Sequence, residues 1–286
     1  LAYKAFMFVS SPAKLNRYLA IKHYRPDGYY EVELISTTLD HVSELNDDIQ
    51  IEKSRDFNFM CEGPESKGIP NDETNLVVRA LRLVEEKWGT QLCVNIKLYK
   101  RIPHGAGLGG GSSNAASILK SLPILFDRPI PEEELLTMAS KLGSDVPLFI
   151  LGGTTFGFNR GEKVEKLPSL PIGPQIIVNA GISIQTKKVY KSINTDFASN
   201  SSIKDLISSG QPIPRRNDLT RFAYQINNSL IDVDDVLSRT GGEVMLCGSG
   251  GCFSVLYKNH PTCQTAIQWL RVQKPNWKIY IIGNSQ

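Results

Sequence analysis

No two cysteines of this chain stand in a CxxC arrangement, and no histidines fall at metal-ligand spacing. The five cysteines, Cys61, Cys93, Cys247, Cys252 and Cys263, are odd in number and scattered through 286 residues. This argues against a disulfide framework or a zinc site and for a reduced, cytoplasmic setting. The four histidines, His23, His41, His104 and His260, form no cluster, so a metal held by His and Cys is not expected. Long apolar runs are missing too. Residues 5–9 are too few for a signal-peptide core or a membrane span, and later runs such as 147–151 are broken by Gly or Pro, so no membrane partner is expected. The chain opens on Leu1 rather than Met, which leaves room for a removed N-terminal or targeting segment.

An excess of one charge is also lacking: 32 Lys+Arg face 29 Asp+Glu, a formal net charge of +3. That gives no general polyanion surface, and no nucleic-acid partner is expected, although a local basic cleft is compatible with it. Arg215-Arg216 and Lys187-Lys188 read as solvated pairs. Hydrophobic residues at 41% and charged residues at 21% exclude disorder as the main state.

What is present is enough chain for two domains. A mixed segment at 9–22 leads into the turn Arg25-Pro26-Asp27-Gly28, and 31–40 and 48–53 read as strands. Over 74–88 the period changes: Leu76, Val77, Ala80, Leu81, Val84 and Trp88 share a helical face, with Gly89 as C-terminal cap. Residues 92–100 alternate Leu92, Val94, Ile96 and Leu98 with Cys93, Asn95, Lys97 and Tyr99, a strand with one buried face. Helices follow at 113–122 and 131–142, the second opened by Pro131 and three glutamates and closed by Gly143. A short helix begins at Ser144-Asp145-Val146-Pro147. Beyond Gly161 the composition turns richer in Pro and Ser, which places a boundary near Lys163 and domains at 1–162 and 163–286. The second half reads as a strand at 175–180, a short helix after Thr186 and helical segments from Asp218. A hairpin at 243–257 then turns through Gly248-Ser249-Gly250-Gly251, before a helix at 262–272 and a strand at 278–282.

The most distinctive segment is Pro103-His104-Gly105-Ala106-Gly107-Leu108-Gly109-Gly110-Gly111-Ser112-Ser113-Asn114. A strand, a glycine run, two hydroxyls and a helix start make an anion site: glycines let backbone N–H groups close on a phosphate, and the helix N-terminus adds partial positive charge. The alternative is a surface loop with Ser112 or Ser113 as N-cap. Gly105-x-Gly107-x-x-Gly110 fits the dinucleotide pattern, but the strand before it alternates and no βαβ repeat begins there. No Gly-Lys-Ser/Thr follows, so it is not a Walker loop either. A third class of nucleotide loop remains.

With Ala115-Ala116 after it, this segment resembles the ATP loop of the GHMP kinases. Further segments occur in that family's order: Ser11-Pro12-Ala13-Lys14-Leu15-Asn16, Asp27-Gly28-Tyr29, Leu142-Gly143-Ser144-Asp145-Val146-Pro147, Gly181-Ile182-Ser183-Ile184-Gln185-Thr186, Asn217-Asp218-Leu219 and Gly248-Ser249-Gly250. Together they span nearly the whole chain and resemble the branch that phosphorylates a diphosphocytidyl methylerythritol. The resemblance implies two α+β domains, the N-terminal one ribosomal-protein-like and the C-terminal one ferredoxin-like, with ATP and substrate between them. It implies transfer of the γ-phosphate of ATP to the 2-hydroxyl of a small cytidine diphosphate substrate of the non-mevalonate isoprenoid route, by a monomer or weak homodimer.

Site residues follow from the same resemblance. Pro103, Gly105, Gly107, Leu108, Gly109, Gly110, Gly111, Ser112 and Ser113 would cradle the phosphates of ATP, with Mg2+ bridging phosphate oxygens and Ser112 or Ser113 as its protein ligand. Asn75 would lie near the adenine; a plain helix-start Asn is the other reading. Asp145 would take the hydroxyl proton, where the alternative is a helix cap, and Lys14 would sit beside it. Tyr29 and Tyr190 would sandwich the cytosine, with Tyr30, Asn16 and Thr186 beside them, unless these tyrosines are half-buried core aromatics. Three positions depart from the family: Tyr30 stands where His is usual, Arg17 where an apolar residue is usual, and Thr220 where an acidic one is. Cys247 reads as a small buried hydrophobe. The rival readings are a GHMP kinase for mevalonate, homoserine or a sugar, and a non-catalytic nucleotide- or RNA-binding protein of the same fold.

Overall fold

Residues 9–22 form not one element but parts of two strands, β1 (Phe6–Pro12) and β2 (Lys14–Tyr24), parted at Ala13. At the break the chain leaves one sheet for another: Ala13 N–H donates to Leu45 O at 2.8 Å and Lys14 N–H to Leu108 O at 2.9 Å. The structure, a computed structural model, describes residues 6–194, 202–209 and 211–283.

β1 pairs antiparallel with β4 (Asn46–Lys53), and β4 antiparallel with β6 (Val94–Tyr99). β5 (Asn58–Glu62) runs parallel to β6 at the edge, in the order β1-β4-β6-β5. The alternation of β6 is realised, with Val94, Ile96 and Leu98 buried and Lys97 and Tyr99 outward. Helices α1 (Leu76–Trp88), α2 (Gly110–Leu125), α3 (Glu132–Leu142) and α4 (Val146–Leu151) share one apolar core with this sheet, in which Leu81, Ile118, Met138 and Leu148 join Ile49, Ile51 and Ile96. Asn75 caps α1 by accepting from Val77 N–H, and Gly89 ends it in the left-handed region at φ 64°.

The second sheet is built on the hairpin of β2 and β3 (Tyr30–Thr38), continued by β7 (Thr154–Phe158) and β8 (Lys163–Leu167). A cut at Lys163 therefore falls at the start of the second strand of a hairpin. On the other edge β10 (Arg216–Asn217), from the C-terminal half, runs parallel to β2. The two halves share this sheet.

The third sheet, in the order β11-β12-β9-β13, holds β9 (Gln175–Asn179), β11 (Glu243–Leu246), β12 (Cys252–Leu256) and β13 (Lys278–Ile281), all antiparallel. Helices α5 (Thr186–Lys191), α6 (Ile203–Ser208), α7 (Thr220–Ile226) and α8 (Ser229–Ser238) lie between β9 and β11 in sequence, and α9 (His260–Gln273) between β12 and β13. Phe222, Leu230, Phe253 and Leu270 form their core together with Leu19 and Ile21 of β2. A separate apolar seam joins the halves: Ala13, Leu15, Ala106 and Leu108 pack with Ile177, Cys247 and Cys252. This seam carries the glycine loop. The fold is mixed α+β, and no helix among the described residues is long and apolar enough to cross a membrane.

Candidate active site

The loop is anchored on alternate residues. Ala106 and Leu108 are buried in the seam, while Gly105, Gly107 and Gly109, with φ of 68°, 79° and 72°, lie partly exposed. A Cβ on Gly107 would stand 1.8 Å from Cys247 O, so the second glycine turn (247–251) presses directly on the first loop. Cys252 N–H donates to Ala106 O at 3.2 Å across the same contact. Helix α2 begins at Gly110, earlier than the start at Ser113 that its hydroxyls suggest, because Gly109 takes the N-cap position without a side-chain bond. A Cβ on Gly110 would meet Ile102 Cγ2 at 2.9 Å, so a larger residue does not fit that start. The first N–H groups of a 16-residue helix are thus left facing the loop, an arrangement suited to phosphate oxygens.

The two serines part company. Ser113 is buried and accepts from Ser11 Oγ at 2.9 Å, whereas Ser112 stays partly exposed. Pro103 is buried at the loop's entry and His104 is exposed. A Cβ on Gly111 would lie 3.7 Å from Leu76 Cδ1, which brings Asn75 beside the loop. Both polar ends of Asn75 are occupied, however: Oδ1 accepts from Val77 N–H and Nδ2 donates to Pro70 O at 2.8 Å, the helix-start role.

Beneath the loop lies a buried network that the sequence does not signal. Asp47 accepts from Lys100 Nζ, from Asn114 Nδ2 at 2.9 Å, and from the N–H groups of Arg101 at 2.7 Å and Ile102 at 2.9 Å. Lys100 also donates to Asn114 Oδ1 at 3.1 Å, and Asn114 Nδ2 to Ser11 Oγ at 3.1 Å. The network ties the strand before the loop to the helix after it.

Lys14, only 4% exposed in its side chain, donates to Asn16 Oδ1 at 2.5 Å, and Asn16 donates to Ser36 Oγ at 2.9 Å. Its Nζ stands 3.7 Å from Asp145 Oδ2, and Asp145 is 37% exposed. Asp145 occupies the N-cap position of α4 but makes no cap bond. A Cβ on Gly109 would lie 3.0 Å from Lys14 Cγ, so the ion pair borders the glycine loop.

Across the cleft, burial and the charge of Asp145 push the Tyr190 hydroxyl pKa up. Tyr190 faces Tyr30, with ring centroids 6.4 Å apart and planes at 35°. Tyr30 also packs edge-on against Tyr24 at 5.0 Å and donates to Ile193 O at 3.3 Å. Tyr29 is 53% exposed and carries Arg160 over its ring at 4.8 Å. The pair in contact is therefore Tyr30 with Tyr190. Thr186 Oγ1 lies 2.7 Å from Ser249 Oγ in the second glycine turn, and Asn217 Nδ2 donates to Gly248 O at 2.7 Å, holding that turn.

Lys187 and Lys188 are exposed as expected, but Arg215 is not a solvated residue: its side chain is 8% exposed. The one-residue shift between neighbours on a strand explains this, since Arg216 turns outward to Asp218 while Arg215 turns inward onto Ser254. Cys247 is fully buried, and burial pushes its thiol pKa up to about 12, so it serves as an inert apolar side chain.

The family model of the GHMP kinases N terminal domain matches residues 75–153, from the cap of α1 through the loop and α4. The 4-diphosphocytidyl-2-C-methyl-D-erythritol kinase of Prochlorococcus marinus subsp. pastoris is 35% identical over 272 residues, covering 88% of this chain and 86% of its own. The enzyme of that name from Listeria welshimeri is 30% identical over 271 residues, covering 92% and 91%. The chain belongs to this kinase family. A crystal structure of a 4-(cytidine 5'-diphospho)-2C-methyl-D-erythritol kinase superposes with a TM-score of 0.76 at 30% identity, covering 98% of this chain and all of that one. Membership accounts for the order of the motifs.

Proposed function

We infer that the chain transfers the γ-phosphate of ATP to the 2-hydroxyl of 4-diphosphocytidyl-2-C-methyl-D-erythritol. The observation that carries the chemistry is the Lys14–Asp145 pair, 3.7 Å apart at the edge of the glycine loop, with Asp145 free of any cap bond. The hydroxyl oxygen attacks the γ-phosphorus, its proton passes to the Asp145 carboxylate, and the bond to the β-phosphate oxygen breaks to release ADP. Lys14 neutralises charge gathering on the transferring group; Asn16 holds the ammonium in place.

ATP fits the residues present. Gly105, Gly107 and Gly109 hold positive φ and pack too closely on Ser183, Cys247 and Lys14 for any side chain, which leaves bare backbone at the loop, and the start of α2 offers N–H groups to phosphate oxygens. Asn75 holds the start of α1 against the loop at the adenine end. Ser112, partly exposed in the first turn of α2, would hold magnesium, which would supply charge neutralisation for the phosphates of ATP.

Tyr190 offers a ring face to the cytosine, with Tyr29 at the outer side and Thr186 at the polar rim. Tyr30, wedged against Tyr24 and Tyr190, supplies backbone rather than an imidazole for reading the base. The β-α-β-β-α-β outline of the C-terminal half, with its strands ordered β11-β12-β9-β13, supports reading that half as ferredoxin-like, and we read the N-terminal half as ribosomal-protein-like. We place the enzyme in the cytoplasm as a monomer or weak homodimer.

The test is a substrate panel with ATP and magnesium: the diphosphocytidyl substrate, mevalonate, homoserine and a hexose. Turnover of the first alone, inhibited competitively by CMP, is the expected result. Turnover of another member without CMP inhibition would refute the cytidine assignment.

A further inference from the structure

We propose that the seam between the two halves contains a second anion site, taking a small tetrahedral oxyanion of the phosphate class between Arg17 and Arg215. Arg216 pairs in parallel with Tyr18, so the residues before them, Arg215 and Arg17, adjoin at the start of that pairing, close enough for the Arg17 charge to act on Arg215. The Arg215 guanidinium reaches two strands of the third sheet, and the Arg17 guanidinium reaches the segment that leads into it. Arg17 Nη2 donates to Pro171 O at 2.8 Å, and Arg215 Nη2 donates to Ser254 Oγ at 2.9 Å, to Ser254 O at 3.3 Å and to Glu243 O at 3.5 Å.

These bonds leave donors over. Three buried side-chain nitrogens among the described residues have no hydrogen-bond partner: Arg17 Nη1, Arg215 Nε and Gln175 Nε2. Gln175 is 1% exposed and sits on β9 two residues from Ile177, the register partner of Ser254, and so on the same sheet face. The carboxylate within reach, Glu243 Oε1, is 3.6 Å from Arg215 Nε, but it belongs to a side chain 57% exposed to water. Two cations are thus set side by side with little counter-charge. Burial lowers the pKa of each guanidinium, and Arg17 adds to the effect on Arg215.

A buried charge left without a partner is costly, and a guanidinium is shaped to hold two oxygens of one oxyanion. An anion offering four oxygens to Arg17 Nη1, Arg215 Nε and Gln175 Nε2 would satisfy every orphaned donor at once. The position is distinct from the phosphate cradle: the hydrogen bonds of the two arginines go to Pro171, Glu243 and Ser254 rather than to the glycine loop, and Arg17 stands where the family resemblance leads one to expect an apolar residue.

The experiment is thermal unfolding of the full chain against inorganic phosphate, with ADP and magnesium held at saturation so that the glycine loop is already filled. The wild type is expected to show a saturable rise in Tm, roughly 5 °C at a hundred times the dissociation constant. Arg17→Leu is expected to lose that response while matching or exceeding the wild-type Tm in phosphate-free buffer, because it removes a half-buried charge set beside Arg215. Arg215→Gln reports the same loss should Arg17→Leu fold poorly. A wild type indifferent to phosphate, or equal responses in wild type and both variants, would overturn the proposal. Neither result depends on turnover, so the site stands or falls separately from the kinase reading.

Discussion

Asp145 stands at the N-cap of α4 without capping it, and its Oδ2 lies 3.7 Å from the Nζ of the buried Lys14. A carboxylate at a helix start ordinarily stabilises that helix by about 1 kcal/mol. Here the side chain is turned away to an ammonium instead. Asp145→Ala is therefore expected to change unfolding free energy by less than about 1 kcal/mol, the scale of a half-exposed ion pair, while Lys14→Met lowers kcat by roughly a hundredfold or more. Urea denaturation beside steady-state kinetics checks both; a loss of several kcal/mol in Asp145→Ala would mean the residue is structural.

The Asp47–Lys100 pair should behave in the opposite way. Both side chains are almost wholly buried and also bound to Asn114. Asp47→Asn or Lys100→Met is expected to cost about 3–5 kcal/mol, and the double variant less than the sum, because a single change strands a buried charge. The KM for ATP should rise in each, since the network sets the entry and exit of the glycine loop. A double-mutant cycle by urea denaturation measures the coupling.

Two glycines of the loop make a sharp contrast. Gly107→Ala places a methyl 1.8 Å from Cys247 O at a φ of 79°, and should destabilise by at least about 2 kcal/mol. Gly111→Ala meets Leu76 Cδ1 at 3.7 Å inside a helix, and should be neutral or stabilise by up to about 1 kcal/mol. Thermal unfolding of the pair separates them.

Alkaline pH should loosen the chain. The Cys247 thiol is pushed up to about 12 from an ordinary 9.0, so above pH 9 the unfolded chain loses a proton that the folded chain keeps. Stability fully present below pH 9 is then lost as pH rises toward 12, with a slope of about 1.4 kcal/mol per unit for this group. Tyr190 and Tyr280, also raised by burial, add the same sign higher up. Urea midpoints from about pH 9 to about pH 11, with Cys247→Ala as control, should show the slope reduced in the variant.

Much of this arrangement is legible in the sequence where a pattern is local and long. The helical face of α1, the alternation of β6 and the cap at Gly89 rest on near neighbours, and the structure realises them. β5, β7 and β8 are five residues each and too short to show a period, and β7 is interrupted by Gly157. Asp145 is ambiguous in the chain because a cap and a base both place Asp before a helix; only the approach of Lys14 from β2 separates them. Asp47, Lys100 and Arg215 escape the sequence for a shared reason. Their partners come from distant strands, and a charged residue gives no sign of burial until its neighbours across the sheet are known. The aromatic contact follows suit: Tyr29 and Tyr30 are adjacent in sequence, and of the two it is Tyr30, the first residue of β3, whose ring meets Tyr190.

The most direct test of the account is ADP release from ATP, magnesium and the diphosphocytidyl substrate, measured for the wild type and for Asp145→Asn at equal folded concentration. Turnover by the wild type is expected, with a fall in kcat on the order of a hundredfold or more in the variant and the KM for ATP little changed. Equal turnover by both proteins would contradict the role of Asp145, and absence of turnover by the folded wild type would contradict the kinase assignment itself.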